Sequence, residues 1–291
     1  MSTAVLERSP QTGQTTYEFG VRDIVYQRQG GRELLARLYQ PAGTGPFPMI
    51  VAVHGGAWNN KDRTDGQHTA LELAAAGIVV LSIDFRNAPV APYPASLQDI
   101  NYAVRWAKTH ARDFGSTADR VGLYGWSSGG HQALLAAIRP EDPRYSATPL
   151  AEAPDADAKV AFVISGWGVL YPLERYNLAR QKGKAEMVQS HDIYFKDEAT
   201  QVEATPGAIL DRGEAVFLPP ALVFQGTGDD WVPNELPERL AASYRKAGGT
   251  MDLAWYDGEP HTFITEKPLA PNSIKAIADI AAFIKKHGAG K

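Results

Sequence analysis

A chain of 291 residues, 44% hydrophobic and 21% charged, has the composition of a folded globular protein, long enough to bury a large core without covalent staples. Its 29 basic and 33 acidic side chains give a formal charge of −4, which argues against a general nucleic-acid surface, because phosphate binding needs a concentrated positive field. Cysteine is absent, which excludes disulfides, Cys-ligated zinc, iron–sulfur clusters and a Cys nucleophile.

Roughly the first 15 residues read as a frayed lead-in. Met1 to Gln14 is polar and has no apolar core of a signal peptide. No later apolar run approaches the ~20 residues of a membrane helix. The expectation is a cytoplasmic protein with no membrane partner. Ile24 to Tyr26 and Leu34 to Tyr39 cluster apolar residues around Gln29-Gly-Gly, which predicts an antiparallel hairpin. Short apolar runs follow at Met49 to Val53, Ile78 to Ile83, Val121 to Tyr124, Val160 to Ile164 and Ala221 to Phe224, and Met251 to Tyr256 is strand-like. Runs apolar on both faces suit parallel strands covered by helices on each side.

Between the runs, apolar residues recur at helical spacing. Leu97, Ile100, Val104 and Ala107 share one face, as do Leu236, Leu240 and Tyr244 before Gly248-Gly249. Ile274, Ile277, Ile280, Ala281 and Ile284 form the last stripe. Alternating strand and helix predicts a parallel sheet with crossovers. Trp167 to Leu218 breaks the rhythm, mixing aromatics with charge. A stretch of about 50 residues is too long for a simple loop. It predicts a small helical cap over the C-terminal edge of the sheet, inserted at 167–218 into a single domain of residues 1–291.

Four loops carry residues fit for chemistry. Gly125-Trp126-Ser127-Ser128-Gly129 lies between a strand and a helical stretch. This G-x-S-x-G pattern holds a serine on a sharp, strained turn with its oxygen exposed, and the glycines leave room for neighbouring backbone. His54-Gly55-Gly56-Ala57-Trp58 follows the first parallel strand, where glycine-rich backbone can aim N–H groups at a developing oxyanion. Gly226-Thr-Gly-Asp229-Asp230 and Gly258-Glu-Pro-His261 each follow a strand, on the same edge as Ser127. A serine hydroxyl needs a histidine to take its proton and a carboxylate to orient that histidine. The chain order Ser127, Asp229, His261 is the order found in α/β-hydrolases.

These stretches, with Asp84-Phe-Arg-Asn-Ala-Pro89, Tyr93-Pro-Ala95, Leu97-Gln-Asp99 and Arg105-Trp106, resemble the α/β-hydrolase fold over roughly residues 45 to 265. The similarity is to its esterases with an H-G-G loop, the acetyl-esterase, feruloyl-esterase-like and hormone-sensitive-lipase-like group. The resemblance implies an α/β fold with a mostly parallel central sheet, helices on both faces, N-terminal antiparallel strands and a small helical cap. It implies Ser127 as nucleophile, His261 as base, Asp229 as acid and oxyanion donors at the N–H groups of Gly56, Ala57 and Ser128. It further implies a cofactor-free carboxylic ester hydrolase for small or aromatic substrates. An amide or formamide hydrolase with the same triad is the first alternative, and a non-catalytic small-ligand receptor the second. Ala57 departs from the usual third glycine, Pro260 stands where a small residue is usual, and Asp230 competes with Asp229 for the acid's place.

Other residues read more plainly. No H-E-x-x-H, P-loop or G-x-G-x-x-G pattern is present, so neither metal nor nucleotide is expected. His131 reads as a packed helix residue. Trp58, Trp126, Trp167 and Trp231 are read either as lining an apolar acyl or aromatic pocket or as shielding the triad from water. The partner expected is a small-molecule ester. Oligomeric state is not legible, with a homodimer one possibility.

Overall fold

The protein is described from a computed structural model covering residues 16–29 and 31–290. The expected lead-in at residues 1–15, and Gly30 of the hairpin turn, lie outside the described residues.

β1 (Phe19–Gln29) and β2 (Arg32–Pro41) form the expected antiparallel hairpin. β2 then pairs antiparallel with β4 (Val79–Ile83). β4 runs parallel to β3 (Met49–Val53), and the parallel ladder continues through β5 (Val121–Trp126), β6 (Val163–Gly166), β7 (Ala221–Gly226) and β8 (Met251–Tyr256). Among the described residues the sheet has eight strands, in the order β1-β2-β4-β3-β5-β6-β7-β8. Every residue of β3 through β7 is buried, the signature of strands covered on both faces. This is the α/β-hydrolase architecture.

β6 begins at Val163, not at Val160 as the apolar run suggests. Its neighbour β7 starts only after Pro219-Pro220, and prolines withhold ladder donors. Residues 160–162 still lie along β5, with the Ala161 N–H donating to the Val121 carbonyl at 2.9 Å.

Two apolar clusters flank the sheet. One takes Leu97, Ile100 and Val104 of α2 (Ala95–Thr109), Leu134 and Leu135 of α3 (Ser128–Ile138), and Leu236 and Leu240 of α8 (Glu235–Lys246). The other takes Leu73 of α1 (Gln67–Ala75), Phe263 and Ile264 of α9 (Phe263–Glu266), and Ile277, Ile280 and Ile284 of α10 (Pro271–His287). Ile274 departs from its expected place and is 43% exposed. It sits at the margin of the arc that Ser273, Ala276, Ile277, Ile280 and Ile284 bury.

The stretch from Trp167 to Leu218 folds as four short helices, α4 (Pro172–Gln181), α5 (Ala185–Phe195), α6 (Glu198–Glu203) and α7 (Pro206–Asp211). Aromatic and charged contacts tie them to the sheet domain. Tyr194 stacks on Trp58 at 5.2 Å, Tyr93 donates its O–H to Glu203 at 2.6 Å, and Arg144 pairs with Glu203 at 2.6 Å.

Candidate active site

All four chemical loops leave the C-terminal ends of parallel strands, so the sheet alone brings distant residues to one rim. Ser127 joins β5 to α3 with φ 53° and ψ −125°, a conformation rarely adopted by a residue with a side chain. Its surroundings hold that strain in place. The Ser127 N–H donates to the Gly166 carbonyl at 2.9 Å, and its own carbonyl accepts from the N–H groups of His131 and Val169. A Cβ at Gly129 would press on the carbonyl oxygens of Val53 and His54, and one at Gly125 on the carbonyl of Gly129. Both glycines of the G-x-S-x-G turn are therefore required by close backbone approach.

The Ser127 O–H reaches His261 Nε2 at 3.0 Å. On the other side of the ring, Nδ1–H donates to Asp229 Oδ2 at 2.7 Å. An ionised carboxylate only accepts, so this contact fixes the tautomer: Nδ1 carries the proton and Nε2 offers its lone pair to the serine. The Asp229 side chain is fully buried, and its Oδ1 accepts from the N–H groups of Trp231 and Val232 at 2.8 and 3.0 Å. Asp230 is turned outward, its side chain 69% exposed and paired with Lys184 at 3.2 Å. Asp229, not its neighbour, orients the histidine.

The loop after β3 runs through three consecutive positive φ values, 99° at Gly56, 50° at Ala57 and 64° at Trp58. A Cβ at Gly56 would meet the backbone and side chain of Asn60, so this position requires glycine. Among the described residues, no acceptor takes the N–H of Gly56, Ala57 or Ser128. Gly55 packs against the Ser127 Cβ, and the Trp58 N–H donates to Ser128 Oγ at 3.2 Å, so loop and turn are held as one unit. His54 contributes packing: its ring stacks on Phe85 at 4.1 Å, Nδ1–H donates to the Gly55 carbonyl, and burial lowers its pKa.

The four tryptophans divide. Trp58 and Trp167 are 1% and 2% exposed and lie beneath the site rather than opening onto it, which corrects the expectation that both line a pocket. Each has neighbours that cover it completely: Trp58 lies among Tyr194, Phe195, His131 and His191, and Trp167 among Phe224, Phe263 and His261. Trp126 is also buried, its indole N–H donating to Asp65 at 2.9 Å. Trp231 alone of the four is exposed, at 43%, and it stacks over the His261 ring at 5.7 Å. For the ester hydrolase that the sequence resemblance implies, replacing Trp231 by Ala should lower kcat/KM for a benzoate ester about fivefold more than for an acetate ester, the worth of one aromatic contact at ~1 kcal/mol. Trp126→Ala should lower both alike, and steady-state kinetics on the two esters reads the difference.

His131 sits in the core beneath the site, as its helix position suggests. The Trp58 indole N–H donates to His131 Nδ1 at 3.2 Å, and Nε2–H donates to the Ala204 carbonyl at 2.7 Å. Only a neutral ring makes both bonds, and burial pushes its pKa down to about 4. The sequence reading passed over Arg175, which is 2% exposed on α4. A depression of about 310 Å³ between Lys61, Asp65, Gly66 and Thr265 adjoins Trp126, and neither Ser127, Asp229 nor His261 lines it. No group of three or more His, Asp or Glu side chains among the described residues could hold a metal ion. No described helix is long and apolar enough to cross a membrane.

Comparison with known proteins agrees with this architecture. The esterase LipC of Mycobacterium tuberculosis is 31% identical over 221 residues, spanning 72% of this chain and 52% of LipC. The carboxylic ester hydrolase LipN of the same organism is 29% identical over 268 residues, 88% of this chain and 67% of LipN. The chain thus spans about half to two thirds of the length of these relatives. A hyperthermophilic esterase from Pyrobaculum calidifontis superposes with a TM-score of 0.73 at 24% identity, covering 91% of this chain and 83% of that one, and shares the fold. Residues 37–244, most of the sheet and three of the four chemical loops, match the family model described as BD-FAE, and the chain belongs to that family.

Proposed function

We propose that this protein is a serine hydrolase that cleaves carboxylic esters of small or aromatic substrates through an acyl-enzyme on Ser127. The observation that supports this most is the continuous relay from Ser127 Oγ to His261 Nε2 at 3.0 Å and from His261 Nδ1 to Asp229 Oδ2 at 2.7 Å. The names of LipC and LipN, an esterase and a carboxylic ester hydrolase, support the ester as substrate.

Each step follows from the groups in place. His261 Nε2 takes the Ser127 proton as Oγ attacks the ester carbonyl, and Asp229 stabilises the imidazolium that forms. The carbonyl oxygen becomes an anion, met by the N–H groups of Gly56, Ala57 and Ser128, each such donor worth ~3 kcal/mol. His261 returns its proton to the departing alcohol, and the acyl group stays on Ser127. A water enters, His261 takes its proton as the water oxygen attacks the acyl carbon, and His261 then returns that proton to the departing Oγ, which releases the acid and restores Ser127. The kinetics should be ping-pong. Helices α4 to α7 act as the cap over this rim.

A fluorophosphonate probe should label Ser127 in the native protein and fail with Ser127→Ala. 4-Nitrophenyl acetate should give a burst of one nitrophenol per chain. Absence of labelling in folded native protein would refute the nucleophile.

A further inference from the structure

Arg175 projects from the cap helix α4 into the interior, 2% exposed. Its Nε and Nη1 are buried without a hydrogen-bond partner, and no carboxylate among the described residues forms a salt bridge with it. Burial lowers its pKa only to about 10, so the guanidinium stays charged at neutral pH. Buried charges are normally paired, because an uncompensated ion loses its hydration without a substitute.

The neighbours do not supply the missing negative charge. The guanidinium carbon lies 5.7 Å from the centre of the Trp58 ring, a neutral aromatic face. His191 and His131 are both held neutral, the first pushed down to about 2 by burial and by the Arg175 charge, the second to about 4 by burial. The acid whose charge reaches Arg175 is Asp229, whose two oxygens already accept from Trp231, Val232 and His261. Arg175 also packs next to the proposed oxyanion loop. Trp58, beneath it, directly follows Ala57 of the proposed oxyanion loop and donates its N–H to Ser128 Oγ.

We propose that Arg175 binds a free carboxylate carried by the substrate, so that the enzyme prefers esters with an anionic acyl or alcohol part. The planar guanidinium offers parallel N–H donors whose spacing matches the two oxygens of a carboxylate, and such charge-assisted pairs are about twice as strong as neutral ones. This inference rests on the reading of Ser127 as an esterase nucleophile and names the substrate class for that same site.

Two matched pairs of esters test it on the full chain. On the acyl side, the 4-nitrophenyl monoester of glutaric acid is compared with its methyl-capped diester. On the alcohol side, 4-acetoxybenzoate is compared with its methyl ester. In at least one pair the wild-type protein should favour the anionic member, and the responsive pair shows which part carries the carboxylate. Arg175→Met should lower the anionic-to-neutral ratio of kcat/KM about a hundredfold, mostly through KM, the size expected for a charge-assisted bidentate pair. Arg175→Lys should recover part of it.

Titrating glutarate calorimetrically into Ser127→Ala protein reads the same site without turnover. Saturable binding that valeramide does not show is expected, whether or not any ester is cleaved. This arm also decides the matter if Arg175→Met does not fold. The proposal is overturned if wild type shows no anionic preference in either pair, if glutarate does not bind, or if Arg175→Met lowers both members of each pair equally, which would mark a structural cation. Missing fluorophosphonate labelling together with glutarate binding would overturn the esterase reading and leave the carboxylate site standing.

Discussion

Ser127→Ala and His261→Ala should each lower kcat by about 10⁶-fold, and the double variant should be no worse, because nucleophile and base act as one unit. Asp229→Asn should cost about 10⁴-fold. The smaller figure follows from geometry. The carboxylate does not react; it holds Nδ1–H at 2.7 Å and so keeps the Nε2 lone pair aimed at Ser127. An amide at that position can present its NH₂ to the ring, which selects the wrong tautomer. Two backbone N–H groups, from Trp231 and Val232, hold Oδ1 and would keep the side chain in its place. Asp230→Asn should change kcat less than twofold, as its exposed carboxylate faces Lys184 and solvent. Single-turnover and steady-state rates on 4-nitrophenyl acetate measure all five variants. A loss in Asp230→Asn comparable to that in Asp229→Asn would reassign the acid.

Acid should loosen the cap before the pH reaches the carboxylate range. His131 is buried and neutral, with its pKa lowered from the ordinary 6.5 to about 4. In the unfolded chain it titrates near 6.5, so between pH 6.5 and 4 the unfolded state binds a proton that the folded state refuses. Stability is therefore complete above the unfolded value and is lost as pH falls through this window, by about 3 kcal/mol for this residue alone. His191 is depressed further and adds to the same loss. Both rings bind the inserted helices: His131 donates to the Ala204 carbonyl, and His191 Nδ1 bonds Gln201. Denaturant titrations at pH 7 and pH 4.5 should show the drop, and His131→Gln should flatten the slope. An unchanged midpoint between these two pH values would contradict a neutral, buried His131.

The architecture was legible wherever a run of apolar residues had only one physical explanation. The runs at Met49, Val121 and Ala221 became buried parallel strands, because nothing else accommodates apolar side chains on both faces of so short a segment. The start of β6 was not, since Val160 is as apolar as Val163 and the boundary is drawn by prolines just before the neighbouring strand, 59 residues away in sequence for Pro219. Helix α1 escaped notice for a local reason: it starts at Gly66 in a left-handed conformation, with no side chain capping its first turn. At the site, residue type and order pointed to Ser127, Asp229 and His261 because each loop follows a strand end. The tryptophans were less tractable. An indole can shield or receive, and only the neighbours that cover Trp58 and Trp167 decide. Arg175 was hidden by the opposite habit, as an arginine in a charged helical stretch reads as solvent-facing until its burial is known.

The insert formed by residues 172–211 enters after one parallel strand and leaves before the next, and it contributes none of the reacting atoms. Under the proposed reading, the reacting groups and the substrate-binding Arg175 thus belong to separately encoded pieces of polypeptide. A lineage could trade one such insert for another and acquire a different diet while inheriting the same cutting edge.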